Sequence, residues 1–201
     1  MKKRDTSGRK MDTRIKQVIF NADEHTYTYL GRSLRGVTGA ISKMTGKSFP
    51  DTVTVQASVI YGHDVHSESE HWIKDKRDPS TESGKWVVEE LKKFAEIHNV
   101  RYYEAELIVS DFETTASCID IVAHTDKGAY LFDIKTTSKF DRLYCSLQLS
   151  AYKRLYTQCY GEEVLDMYVI GTKSKRLYHI LEQDKSKVDR LFTINKEVLC
   201  R

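Results

Sequence analysis

Two consecutive apolar runs, each with an acid in its middle, constrain this chain more than any other feature. Cys118 to Ala123 and Ala129 to Ile134 flank the turn-like His124-Thr125-Asp126-Lys127-Gly128, which reads as a β-hairpin. Asp120 lies in the first run and Asp133 in the second. Side chains alternate along a strand, so Asp133 and Lys135 point to the same side, and antiparallel pairing can bring Asp120 close to it. Two carboxylates and an ammonium on a half-buried sheet are costly unless something uses them. A divalent cation is the simplest candidate, with Mg²⁺ or Mn²⁺ suited to carboxylate oxygens.

The segments around the hairpin supply further polar groups. Arg142 to Tyr160 has the length of a helix, with Leu143, Leu147, Ala151, Leu155 and Cys159 as its core stripe. Gln148 and Tyr152 are four apart and share a face. Upstream, Thr52 to Lys74 reads as a long helix on which Gly62, His66 and Glu70 recur every fourth residue. Gly62 suggests close approach of another backbone or a ligand. His66 offers a nitrogen ligand and Glu70 an oxygen ligand or a supporting carboxylate; on this segment alone, an ordinary exposed or core histidine is the competing reading. Val100 to Ser110 reads as a strand with Glu104 and Glu106 on one face, either of which can reach the site or simply face solvent.

The rest organises as α/β. Lys16 to Leu30 suggests short strands, Thr38 a helix cap, Gly84 to Asn99 an amphipathic helix, and Asp184 to Cys200 a closing helix. Val164 to Gly171 and Leu177 to Leu181 suggest a hairpin whose tip carries Lys173, Lys175 and Arg176, bases that either meet DNA or are merely solvated. Residues 1–16 carry seven Lys and Arg against two Asp and read as a flexible basic arm before a single domain over 17–201. The net charge of +3 neither demands nor excludes nucleic acid. No stretch looks like a signal peptide or membrane span, which points to a soluble intracellular protein. The four cysteines form no Cys-x-x-Cys pair and read as small buried hydrophobes.

An acid-x-Lys triplet alone means little; Glu90-Leu91-Lys92 is another, and reads as an ordinary helical surface pair. The ordered set is more specific. Gly62 to His66, then Glu104 or Glu106, then Ser117-Cys118-Ile119-Asp120, then Asp133-Ile134-Lys135-Thr136, then Gln148 to Tyr152 resembles the PD-(D/E)XK nuclease superfamily. Within it, the pattern is similar to the RecB-like exonucleases, which include CRISPR-associated and phage recombination nucleases. Ser117 stands where that family usually has glycine, and no cysteine cluster for an iron–sulfur centre is evident.

The resemblance implies a restriction-endonuclease-like core: a mixed central sheet of four or five strands flanked by helices. It also implies a metal-dependent DNA nuclease, in the exonuclease branch, acting in recombination, repair or replication. His66, Asp120, Asp133 and the carbonyl of Ile134 would hold Mg²⁺ or Mn²⁺. Lys135 would position or help deprotonate the attacking water, Gln148 and Tyr152 would hold the phosphate backbone or the metal's surroundings, and Glu70 and Glu104 would support the ligands. The products would be a 5′-phosphate and a 3′-hydroxyl. The implied partners are DNA and a single-strand annealing protein or helicase. The alternatives are a non-cleaving nucleic-acid-binding or assembly module of the same fold, and a purely structural ion-pair network around Lys135.

Overall fold

The computed structural model describes residues 2–4, 10–22, 24–47 and 53–200. In chain order it contains β1 (Lys2–Arg4), β2 (Lys10–Asp12), a 3-10 helix (Thr13–Gln17), β3 (Val18–Asn21), β4 (Thr26–Tyr29), β5 (Arg32–Leu34) and α1 (Val37–Thr45). There follow α2 (Val53–Asp75), α3 (Glu82–His98), β6 (Tyr102–Ser110), β7 (Ala116–His124) and β8 (Ala129–Lys135). The chain closes with α4 (Arg142–Tyr160), β9 (Val164–Gly171), β10 (Arg176–His179) and α5 (Lys185–Leu199). The fold is mixed α/β, with a five-stranded sheet ordered β10-β9-β8-β7-β6 and a separate three-stranded antiparallel sheet, β3-β4-β5. In the larger sheet β8 and β9 run parallel and the other neighbours antiparallel. Parallel neighbours need a crossover, and α4 supplies it.

Helices cover both faces of this sheet. On one, Val65 and Ile73 of α2 and Val87, Leu91 and Phe94 of α3 pack on Ala105, Ile121, Phe132 and Ile170. On the other, Leu147, Leu149 and Leu155 of α4 join Leu131, Val169 and Ile119 in a larger core that also takes in the small sheet, α1 and α5. α4 keeps its expected bounds because both ends are punctuated. Asp141 accepts the Tyr144 N–H at 3.1 Å, and Gly161 takes the left-handed conformation at φ 62°. α3 starts earlier than expected because the Thr81 side chain caps it, accepting the Gly84 N–H at 3.0 Å.

Several expectations are corrected. Leu143, placed in the core stripe of α4, is 47% exposed; it lies in the first turn, beyond the sheet that buries Leu147 and Leu155. Thr38 sits inside α1, whose cap position is Gly36. The expected arm is built into the fold where it is described: Lys2–Arg4 pairs with Lys10–Asp12, and Met11 and Ile15 are buried in the larger core. Residues 1 and 5–9 of that stretch lie outside the described residues, as does Thr52 at the expected start of the long helix. Cys145 and Cys159 are buried as expected, whereas Cys118 is half-buried and Cys200 exposed. No helix among the described residues is long and apolar enough to cross a membrane.

Candidate metal centre

The site forms where the large sheet comes apart. β6 and β7 pair from Tyr102↔His124 to Ala105↔Ile121 and resume at Leu107↔Ile119, leaving Glu106 opposite Asp120 without ladder pairing. Glu106 has φ 53°, a left-handed conformation that costs an L residue about 1–2 kcal/mol. Residues two apart on a regular strand share a face. Here Ala105 and Ile121 belong to the smaller core, while Leu107 and Ile119 belong to the larger. Both strands therefore cross from one core to the other at the acidic pair. Pairing of β7 with β8 also stops, at Ile121↔Phe132. Beyond it the Asp120 carboxylate takes over the backbone's role: its Oδ2 accepts the Ile134 N–H at 2.7 Å.

α2 brings His66 to this opening. Its Nε2 lies 3.2 Å from the Ile134 carbonyl, and its Nδ1 lies 3.5 Å from Asp120 Oδ2. A carbonyl only accepts, so Nε2 carries the proton, and in the neutral ring Nδ1 turns a lone pair toward a carboxylate oxygen. His66, Glu106 and Asp120 can each place a ligand atom within 4.8 Å of the other two. Burial first, and the charge of Asp120 second, push the Glu106 carboxyl up. The Cys118 thiol donates to Glu106 Oε2 at 3.1 Å and is itself pushed up, mainly by burial. Tyr27 of the small sheet adjoins the same acids; its phenol is pushed up by burial and then by Cys118, Glu106 and Asp120.

Asp133 and Lys135 form the second half of the site. Asp133 is 1% exposed, and burial pushes its carboxyl up against the pull of Lys135. Lys135 Nζ lies 3.1 Å from Asp133 Oδ1 and 2.9 Å from Oδ2, although Oδ2 accepts no well-oriented hydrogen bond. Lys135 Nζ also donates to Gln148 Oε1 at 3.3 Å, and Gln148 Nε2 donates to the Tyr152 hydroxyl at 2.9 Å. Burial works against the lysine's charge, but Asp133 outweighs it and holds the ammonium above its ordinary value. A protonated lysine donates and stabilises negative charge. Gln148 and Tyr152 are both buried, and what they hold is Lys135.

The structure thus brings together His66, Asp120 and the Ile134 carbonyl, and beside them Asp133, Lys135, Gln148 and Tyr152. Asp133 stands outside the three-residue ligand group, tied to its lysine. The strand acid in that group is Glu106. Glu104 instead meets His124, with Oε2 2.8 Å from Nε2, while Glu162 Oε2 lies 3.1 Å from the other ring nitrogen. Glu70 is 2.6 Å from Lys74 in an exposed pair one turn along α2. Gly62 faces a side chain rather than the backbone or ligand expected there: a Cβ would lie 3.1 Å from Thr136 Oγ1.

No protein-family model matches the chain, and no curated protein matches it. Among solved structures, the crystal structure of SSO0001 is similar at 15% sequence identity and a TM-score of 0.36, over 81% of this chain and 84% of that one.

Proposed function

We propose that the chain is a divalent-metal-dependent DNA nuclease hydrolysing phosphodiester bonds. The observation that carries this reading is the grouping of His66, Glu106 and Asp120, with ligand atoms within 4.8 Å of one another, beside the Asp133–Lys135 ion pair. The donor set fits Mg²⁺ or Mn²⁺: two carboxylates offer hard oxygens, and one imidazole is compatible with Mn²⁺. The crowding fits too, since His66 Nδ1 lies 3.5 Å from Asp120 Oδ2, and Glu106 is pushed up by burial and then by the charge of the same acid. A cation between these groups would relieve both.

Such a cation supplies Lewis-acid polarisation of a phosphoryl oxygen and activation of water. Asp120, Glu106 and His66 would hold it, and Ile134 keeps His66 and Asp120 oriented by hydrogen bonds to both. Lys135 contributes a fixed positive donor where negative charge builds on the phosphoryl oxygens in the transition state. Gln148 and Tyr152 fix the ammonium's direction. The resemblance to RecB-like exonucleases makes end-directed cutting, inside the cell, the expected mode.

The test is digestion of end-labelled linear DNA beside a covalently closed circle, with Mg²⁺, Mn²⁺ or EDTA. Metal-dependent loss of the linear DNA alone is the expected result. Lys135→Ala and Asp120→Asn are expected to lower the rate by about a hundredfold or more while remaining folded. Full activity in either purified variant would sink the reading.

A further inference from the structure

The cations around the mouth of this site differ from most of those elsewhere on the surface. Lys74, Lys93, Arg101, Lys153, Lys185 and Arg190 each pair with an acid at 2.8 Å or less. Lys139, Arg142, Lys173, Lys175 and Arg176 are all exposed, and among the described residues none of these five forms an ion pair.

Their placement follows from the sheet. β9 lies beside β8 with Gly171 next to Lys135, and the Thr172 N–H donates to the Lys135 carbonyl at 3.0 Å. The β9–β10 turn therefore departs from the backbone of the site's own lysine. Lys173 Nζ sits 4.6 Å over the ring of Tyr61, which precedes Gly62 on α2. On the opposite flank Phe140 meets Tyr178 of β10 edge-on at 4.9 Å, and the Arg142 guanidinium lies 5.5 Å from the same ring. These aromatic contacts anchor the side chains while leaving their charge in water.

The turn itself is costly to make. Gly171 admits Ser174 and Tyr178 where a Cβ would lie 2.5 Å and 2.9 Å from them, and the Ser174 hydroxyl donates to the Gly171 carbonyl at 3.0 Å. Lys175 is left-handed at φ 48°, a position that favours glycine. A lysine there retains a tip cation despite backbone strain, and such strain is typically kept where it serves a function.

We propose that the β9–β10 turn, with residues 139–142, is the surface that holds the phosphates of the polynucleotide flanking the scissile bond. This rests on the nuclease reading and adds to it which surface, away from the reacting phosphate, holds the DNA. Cations without ion pairs on the two segments that leave the neighbouring ends of β8 and β9 give a polyanion several charges to meet beside Lys135. Each phosphate they neutralise releases counterions, so binding weakens as salt rises.

The experiment compares wild type with the combined Lys173→Ala, Lys175→Ala and Arg176→Ala variant on two Mn²⁺-supported reactions, cleavage of linear DNA and hydrolysis of bis(p-nitrophenyl) phosphate. DNA binding is followed by fluorescence anisotropy in EDTA across a salt series. KM for DNA is expected to rise about tenfold or more with kcat within about twofold, the small diester to be hydrolysed as before, and the salt slope to fall by about two to three. Lys175→Gly relaxes the turn while removing one cation, so it separates binding from folding: its Tm is expected to equal or exceed wild type, with the slope falling by about one. Unchanged KM and slope, or equal losses on both substrates, would overturn the proposal and leave the nuclease reading standing. If wild type hydrolyses neither substrate, the nuclease reading falls. The salt slope then decides alone: a reduced slope supports a polynucleotide surface, and an unchanged slope or no DNA binding removes it.

Discussion

Glu104 and Glu106 are two residues apart on β6, yet one side chain meets a buried histidine and the other joins His66 and Asp120. Strand alternation assigns both to one face, which is why the sequence leaves the choice between them open. What separates them is the left-handed backbone at Glu106, a conformation no local pattern of residue types announces. Glu106→Gln is therefore expected to weaken Mn²⁺ binding, followed calorimetrically, by well over about tenfold, since losing even a group that only supports a ligand costs that much. Glu104→Gln should leave Mn²⁺ binding intact and lower stability by about 1–3 kcal/mol, the cost of unpairing a buried polar partner. The Asp133-x-Lys135 pair and the Gln148/Tyr152 pair were legible because period two and spacing four survive intact there. His124 was missed as a structural group because it reads as a turn residue; in the fold it closes β7, 2% exposed. Burial pushes its imidazole down, but the hydrogen bonds to Glu104 and Glu162 outweigh this and raise it above 6.5. A raised histidine stabilises the fold fully below its unfolded value, and that stability is lost as pH rises through the folded value. Urea unfolding across this range should show that loss in wild type and not in His124→Gln.

At the scale of elements, α2 is the part whose position decides the site. It delivers His66 to a strand end, and nothing covalent near the site fixes its distance from β8. The absent side chain at Gly62 does so: Thr136, next to Lys135, occupies the space where a Cβ would lie 3.1 Å away. Gly62→Val is expected to push α2 outward, lengthen the contact between His66 and Ile134, and lower Mn²⁺ affinity more than it lowers Tm. Equal affinity in a folded Gly62→Val protein would show that the site does not depend on this approach. α4 was readable end to end because an aspartate and a glycine mark its boundaries. The parallel pairing of β9 with β8 was not read, because a strand pattern carries no label for its neighbour.

For the whole molecule, the two cores meet across one sheet, and the site occupies the line where β6 and β7 pass from one to the other. The smaller core, with α2 and α3, carries His66; the larger, with α4, carries the groups that hold Lys135. The break in the ladder at Glu106 and Asp120 also has an arithmetic consequence. Ladder pairs on either side of them keep a common register, Ala105↔Ile121 before and Leu107↔Ile119 after. Removing both residues at once would make those two pairs successive and restore plain alternation between the cores. Removing either one alone would throw the register of its strand out by one against its partner. The doubly shortened chain is expected to unfold cooperatively without binding Mn²⁺, and each singly shortened chain to lose cooperative unfolding. The acidic pair is thus an insert of one residue per strand in a ladder that is otherwise in register.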